Sequence, residues 1–153
     1  MLYGIDVDGR NNPRSWGHCL IVIETGGLRI VHWGDSRHNP PDNIWKALGN
    51  IDIALLPVYE SQHVMRHIHT QAIIDRLKPR VIIPHHYYIW DVVQRQSTLQ
   101  TADAWVEAFP NSEHILKPKR TYRIEEVRKL DRIVHFFGDN VIFDKEAWFK
   151  NGS

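Results

Sequence analysis

Residues 27–35 read Gly-Leu-Arg-Ile-Val-His-Trp-Gly-Asp, an apolar strand between two glycine-containing turns. The strand, Leu28 to Trp33, is preceded by the Gly26-Gly27 pair and by a second apolar run from His18 to Thr25. Adjacent glycines adopt the positive φ angles that close tight hairpins, so we predict that the two runs pair as antiparallel strands. After Gly34, the first polar side chain that follows the strand is that of Asp35.

Downstream of this hairpin, apolar runs alternate with segments of helical spacing. We predict a helix at 42–48 capped by Asp42, a strand at 51–58, a helix at 62–77 and a strand at 80–83. Strand–helix–strand units pair their strands in parallel. The C-terminal ends of the three strands should therefore meet at one edge of a sheet, where sites form in α/β proteins.

The two flanks of the chain carry weaker patterns. The polar segment 1–15 predicts an irregular lead-in. Towards the other end we predict a helix at 101–109 capped by Thr101, short strands around Ile115, Tyr122 and 133–137, and a last strand at 141–143.

Composition describes an ordinary globular chain of 153 residues with 42% hydrophobic and 24% charged residues. The net charge of +1 predicts no nucleic-acid partner. No run of about 18 apolar residues predicts a membrane span, and the first residues do not resemble a signal peptide. Cys19 is the only cysteine, which fits a reducing cytoplasm, and its apolar surroundings predict a small core residue.

Ligand-type or acid–base side chains follow all three strands of the predicted sheet. They are His32, Asp35, His38, Glu60, His63, His85 and His86. Histidine and aspartate together suit zinc, iron or manganese. No G-x-S-x-G motif and no Walker motif competes with this interpretation.

Three segments resemble, in order, the metallo-β-lactamase superfamily, and within it the ascorbate-phosphate-lactonase-like branch. They are residues 27–35, residues 51–58 (Ile-Asp-Ile-Ala-Leu-Leu-Pro-Val) and residues 77–87 (Leu-Lys-Pro-Arg-Val-Ile-Ile-Pro-His-His-Tyr). The resemblance implies an α/β fold, a mixed sheet with covering helices that forms half of an αββα sandwich. It also implies a hydrolase in which hydroxide, bound to one or two zinc, manganese or iron ions, attacks an ester, lactone or phosphoester of a small molecule.

By the same resemblance, Asp35 matches the carboxylate that bridges two metals, and His86 matches the last histidine ligand. His32 is interpreted as a hydrogen-bonded core histidine or a group that orients a ligand, and His85 as a structural or supporting neighbour. His38 is interpreted as a loop residue that could contact substrate, and Glu60 as a surface residue with a potential acid–base role. No catalytic residue is assigned. His63 and His67 have the i, i+4 spacing of helical metal ligands, but a solvated helix face is the simpler interpretation.

The defining His-x-His-x-Asp-His motif of the superfamily is absent from this sequence. The stretch His67-Ile68-His69 does not replace it, because no Asp-His follows and a helix turns such positions apart. The matching upstream position, within 5–10, holds no histidine, and His18 falls inside a predicted strand. We therefore expect residues 1–153 to be one partial domain, the C-terminal half of the fold, inactive by itself.

Two other interpretations remain open. A degenerate half-domain could serve as a non-catalytic binding or oligomerisation module, since half a sandwich exposes one apolar sheet face. A nucleic-acid-processing member of the superfamily is the second, and the near-zero net charge argues against it.

Overall fold

A computed structural model describes residues 1–6, 19–36, 38–60, 65–90 and 94–139. Its strands are β1 (Leu2–Asp6), β2 (Cys19–Thr25), β3 (Leu28–His32), β4 (Ile53–Pro57), β5 (Val81–His85), β6 (Ser112–His114) and β7 (Ile133–Phe136). Its helices are α1 (Asp42–Leu48), α2 (His67–Leu77), α3 (Asp103–Ala108) and α4 (Ile124–Val127). The seven strands form one mixed sheet in the order β1-β2-β3-β4-β5-β7-β6.

The middle of the sheet has the pairing that the sequence predicts. β2 and β3 form the antiparallel hairpin, and β3, β4 and β5 lie side by side in parallel. β7 and β6 continue the parallel arrangement beyond β5. The C-terminal ends of β3, β4 and β5 therefore share one edge, and the loops that follow them carry the candidate site.

One face of the sheet packs against helices and holds the main core. Strand residues such as Val31, Leu56 and Ile82 are fully buried there, together with α1, α2 and α3 residues. The covering helical residues include Ile44, Leu48, Ile73, Ile74, Trp105 and Val106. The alternation of side chains along each strand places these residues on the same side.

The opposite face, which we call the open face, is apolar but only partly covered. Helix α4 covers its base, where Val127 packs with Leu28, Ile53 and Val81. Further along, Ile30, Leu55 and Ile83 are half-buried and Ile21 is 38% exposed. The structure thus confirms a partly exposed apolar sheet face, at the place where half a sandwich would leave one.

Four local predictions were wrong. The first part of the lead-in is not irregular, since residues 2–6 pair with β2 as an edge strand, while residues 7–15 lie outside the described part of the chain. Around Tyr122 the chain forms no strand but leads into helix α4. Asp42 lies in the first turn of α1, whose N-cap is Pro41, and Ala102 rather than Thr101 is the N-cap of α3.

Cys19 was also wrongly predicted as a core residue, because its side chain is exposed. It pairs with Asp6 at the outer end of the β1–β2 ladder and lies on the open face, so no helix covers it. The predicted strand at 141–143, His18 and His63 lie outside the described residues. Among the described helices, none is long and apolar enough to cross a membrane.

Candidate metal site at the C-terminal edge of the sheet

Asp35 stands in a tight turn directly after β3. Gly34 has φ +62°, a left-handed conformation that glycine adopts without steric cost, and this turns the chain so that Asp35 leaves the sheet. The backbone N–H of Gly34 donates to Nδ1 of His32 at 3.1 Å. Trp33, which is fully buried, anchors the start of the turn in the core.

His86 stands in the corresponding position after β5. Its φ of +58° lies in the left-handed region, which is uncommon for non-glycine residues although Asn, Asp and His adopt it more often than the others. Such local strain concentrates at functional sites because the surrounding structure must sustain it. Here it accompanies a close approach, since Nδ1 of His86 lies 3.6 Å from Oδ1 of Asp35. The two side chains that the sequence singled out as ligands are thus neighbours.

Tyr59 is the site residue that sequence reasoning missed. It follows β4, is 2% exposed, and its hydroxyl donates to Oδ1 of Asp35 at 2.7 Å. Its ring also packs against that of His86, with centroids 4.8 Å apart. Burial and the hydrogen bond to Asp35 raise the pKa of Tyr59 above its usual value, so it is a neutral donor. Tyr59 therefore holds the carboxylate in place.

The Asp35–His86 pair fits two ligand positions of one small cation. Ligands about 2.0–2.2 Å from a tetrahedral ion lie about 3.4 Å apart, close to the observed 3.6 Å. A catalytic zinc site takes three protein ligands and a structural site four. Within the described part of the chain, no group of three or more His, Cys, Asp or Glu side chains is arranged to hold a metal. The pair could therefore supply at most two of the ligands that a metal ion needs.

His32 and His85 lie side by side below this pair, on the open face. Their rings stack with centroids 4.5 Å apart, and Nε2 of His85 is buried without a hydrogen-bond partner among the described residues. Burial lowers the pKa of His85 to about 4, with His32 and His86 adding to the effect. Both rings are therefore neutral at physiological pH.

Glu60 is a structural anchor rather than an acid. Its carboxylate accepts hydrogen bonds from the backbone N–H of His67 at 2.6 Å and from Nε of Arg66 at 3.2 Å, so it fixes the start of α2. The first of these contacts lowers the pKa of Glu60, which keeps the carboxylate charged. A charged carboxylate that already accepts two hydrogen bonds is poorly suited to donate a proton.

His38 lies in the loop after β3, as predicted, and stacks on His69 of α2 with centroids 3.6 Å apart and planes 8° apart. Nδ1 of His69 already accepts the backbone N–H of Arg66 at 3.3 Å. In two parallel stacked rings the lone pairs lie in separate planes and do not converge on one ion. We therefore do not count His38 or His69 as metal ligands.

Comparison with known proteins shows the superfamily to which the chain belongs. A family model described as a beta-lactamase superfamily domain matches residues 3–86, more than half of the chain, and ends at His86. The chain belongs to the metallo-β-lactamase superfamily. The matched range contains all three strand ends that carry Asp35, Tyr59 and His86.

Two proteins described as metal-dependent hydrolases are similar to part of the chain. A UPF0173 metal-dependent hydrolase from Thermococcus onnurineus is 36% identical over 73 residues, 47% of this chain and 32% of that protein. One from Desulforamulus reducens is 27% identical over 99 residues, 63% of this chain and 43% of that protein. The chain thus spans less than half the length of both relatives.

The fold of a metallo-β-lactamase superfamily member is confirmed by a solved structure. A crystal structure from Thermotoga maritima, assigned to the zinc-dependent hydrolases of this superfamily, superposes with a TM-score of 0.62 at 22% identity. The superposition covers 88% of this chain and 64% of that one. It confirms the predicted mixed sheet with covering helices.

Proposed function

We propose that this chain carries part of the active site of a metal-dependent hydrolase, in which Asp35 and His86 bind one divalent cation. The observation that carries the proposal is the 3.6 Å approach of these two side chains at the ends of parallel strands β3 and β5. The names of the relatives support a metal-dependent hydrolase. We favour zinc, with manganese or iron as alternatives, because carboxylate and imidazole suit all three.

The role proposed for each residue follows from its contacts at the candidate metal site. A bound cation would acidify a water molecule and polarise the scissile group of an ester, lactone or phosphoester. Asp35 and His86 bind the cation, and Tyr59 orients Asp35. Neutral His32 and His85 add no charge beneath the site, and Glu60 secures the helix that follows β4.

The remaining ligands are proposed to come from outside the described residues, on a preceding segment of the same polypeptide or on another one. In the superfamily that the sequence resembles, a His-x-His-x-Asp-His motif supplies most of the ligands. We propose that such a motif completes the site, which would account for the lack of a third ligand among the described residues. The 153 residues alone are then expected to bind metal weakly and to lack turnover. A cytoplasmic location, proposed because Cys19 is the only cysteine, is part of the same account.

Sequencing the 5′ end of the transcript and the DNA around it tests this proposal. An in-frame His-x-His-x-Asp-His upstream, or on an adjoining reading frame, is the expected result. The product that contains both parts should hydrolyse aryl esters, lactones or aryl phosphates with zinc or manganese. If neither reading frame encodes the motif and the chain binds no metal, the non-catalytic half-domain is the better account.

Replacing Tyr59 by phenylalanine should weaken zinc binding by about 10- to 100-fold, because outer residues that orient a ligand contribute that much to metal affinity. The ring and its packing against His86 would remain. A competition titration with a zinc-binding dye measures the change. Tyr122→Phe is the matched control, since it removes a hydroxyl that bonds to His135 instead. An equal loss in both variants would contradict a positioning role for Tyr59.

We also propose that the open face mediates association between two copies of this chain, because partly exposed apolar sheet faces self-associate. Ile21→Glu, which places a charge on this face, should shift the chain towards monomer in sedimentation velocity. Leu116→Glu is the control, since Leu116 is 88% exposed and lies outside the sheet. A wild-type chain that stays monomeric at all concentrations, or an equal effect of both substitutions, would contradict this surface.

A further inference from the structure

The structure contains a cleft of about 290 Å³. The first of its lining residues, Tyr87, directly follows His86 in the sequence. Tyr87, Tyr88, Trp90 and Phe136 supply aromatic walls. Its volume is at the lower end of the range for small-molecule pockets, which suits a small ligand or one group of a larger ligand. No step of the proposed hydrolysis uses these residues.

The walls are held in place by specific contacts. The Tyr87 hydroxyl donates to the Gly138 carbonyl oxygen at 2.6 Å, and the ring packs against Phe136 at 5.3 Å between centroids. Tyr88 meets Trp90 edge to face at 6.1 Å. The indole of Trp90 is nevertheless 57% exposed, so a large apolar surface faces solvent at the mouth of the cleft. An exposed tryptophan beside a cavity is a common feature of binding sites.

The cleft is also acidic. Asp103 and Asp139 line it, and among the described residues that line it none is Lys or Arg. Neither carboxylate forms an ion pair with a Lys or Arg of the described residues. Burial raises the pKa of Tyr87 to about 12, and the charges of Asp103 and Asp139 add to this effect, so both carboxylates act on the same wall. His114, whose ring lies edge-on to Phe136, also lines the cleft.

Two backbone hydrogen bonds connect the cleft with the loop that carries Tyr59. The backbone N–H of Gln100 donates to the Tyr59 carbonyl oxygen at 3.2 Å, and that of Tyr88 donates to the Gln100 carbonyl oxygen at 2.9 Å. Tyr59 in turn donates to Asp35. These hydrogen bonds connect the backbone of the cleft wall at Tyr88 with the loop that carries Tyr59.

We propose that this cleft binds a small organic cation, an alkylammonium group held against the aromatic rings and between Asp103 and Asp139. Aromatic faces attract ammonium groups through their quadrupole, and two carboxylates of the same site add charge attraction. The binding itself does not require a metal. The cationic group could belong to the substrate of the hydrolase, and this part of the inference rests on the proposed function.

Calorimetric titration of the 153-residue chain with choline, and with its uncharged isostere 3,3-dimethyl-1-butanol, tests the proposal. We expect saturable binding of choline and at least about tenfold weaker binding of the isostere, which has the same shape without the charge. The double variant Asp103→Asn, Asp139→Asn should weaken choline binding by about tenfold or more, and Trp90→Leu by about fivefold. Asp131→Asn, which removes an exposed carboxylate elsewhere, should change nothing.

Equal affinity for choline and its isostere, or an unchanged affinity in the double variant, would overturn the proposal, as would the absence of saturable choline binding. The variant Asp35→Asn separates this proposal from the proposed function. It should leave choline binding intact while metal binding is lost. Choline binding without any metal binding in the wild-type chain would contradict the metal site and leave the cation cleft standing.

Discussion

Replacing Asp35 by asparagine should abolish specific binding of zinc or manganese to this chain while leaving the fold intact. The substitution removes the negative charge and one metal-binding oxygen but preserves the shape of the side chain. Losing a direct ligand is expected to reduce metal affinity by more than the 10- to 100-fold that outer residues contribute. The Asp35 side chain is 47% exposed, so the free energy of unfolding should change by less than about 1 kcal/mol.

Equilibrium dialysis against zinc, with elemental analysis of the protein, measures this effect. His86→Asn should behave as Asp35→Asn does, since asparagine tolerates the left-handed backbone at this position. Asp131→Asn is the matched control, because Asp131 precedes β7 and so lies at the N-terminal edge of the parallel strands. Metal binding that survives in Asp35→Asn would show that the ion binds elsewhere.

Replacing Trp33 by alanine should lower the free energy of unfolding by about 3–5 kcal/mol. Trp33 is fully buried, and its ring packs against Trp45 of α1 with centroids 5.5 Å apart. Truncation would leave a large cavity that the helix and sheet cannot easily close. Since domains of this kind are stable by about 5–15 kcal/mol, the loss is a large part of the total.

Urea unfolding, monitored by circular dichroism, gives the difference in the free energy of unfolding between Trp33→Ala and the wild-type chain. Trp90→Ala removes the same side chain from a position that is 57% exposed, and it should cost less than about 1 kcal/mol. Similar urea midpoints of unfolding for Trp33→Ala and Trp90→Ala would show that the core beneath the Asp35 turn does not depend on Trp33.

The sequence was sufficient to predict the middle of the fold and to place Asp35 and His86 at one edge of the sheet. Apolar runs of strand length, separated by helical spacing, predict parallel strands, and this fixes which loops meet at one edge. The positions of Asp35 and His86 follow from that rule and from the resemblance. Their 3.6 Å approach does not, because it depends on two left-handed backbone residues, Gly34 and His86.

Other features depend on tertiary contacts that local patterns do not show. Tyr59 was overlooked because a tyrosine after a strand usually packs in the core, and only the structure shows its hydroxyl on Asp35. β1 contains a glycine and stands at the start of a largely polar segment, and it is recognisable as a strand only from its pairing with β2. Cys19 looked like a core residue because its neighbours are apolar, but alternation places it on the open face.

Residue-resolved zinc titration of the imidazole groups tests the central claim most directly. In a chain labelled with ¹⁵N-histidine, ¹H–¹⁵N spectra report each ring separately, and His86→Asn assigns the signal of interest among the ten histidines. We predict that zinc perturbs His86 first, at Nδ1, and that Asp35→Asn removes this response. Zinc that perturbs His38 and His69 while leaving His86 unchanged would contradict the account.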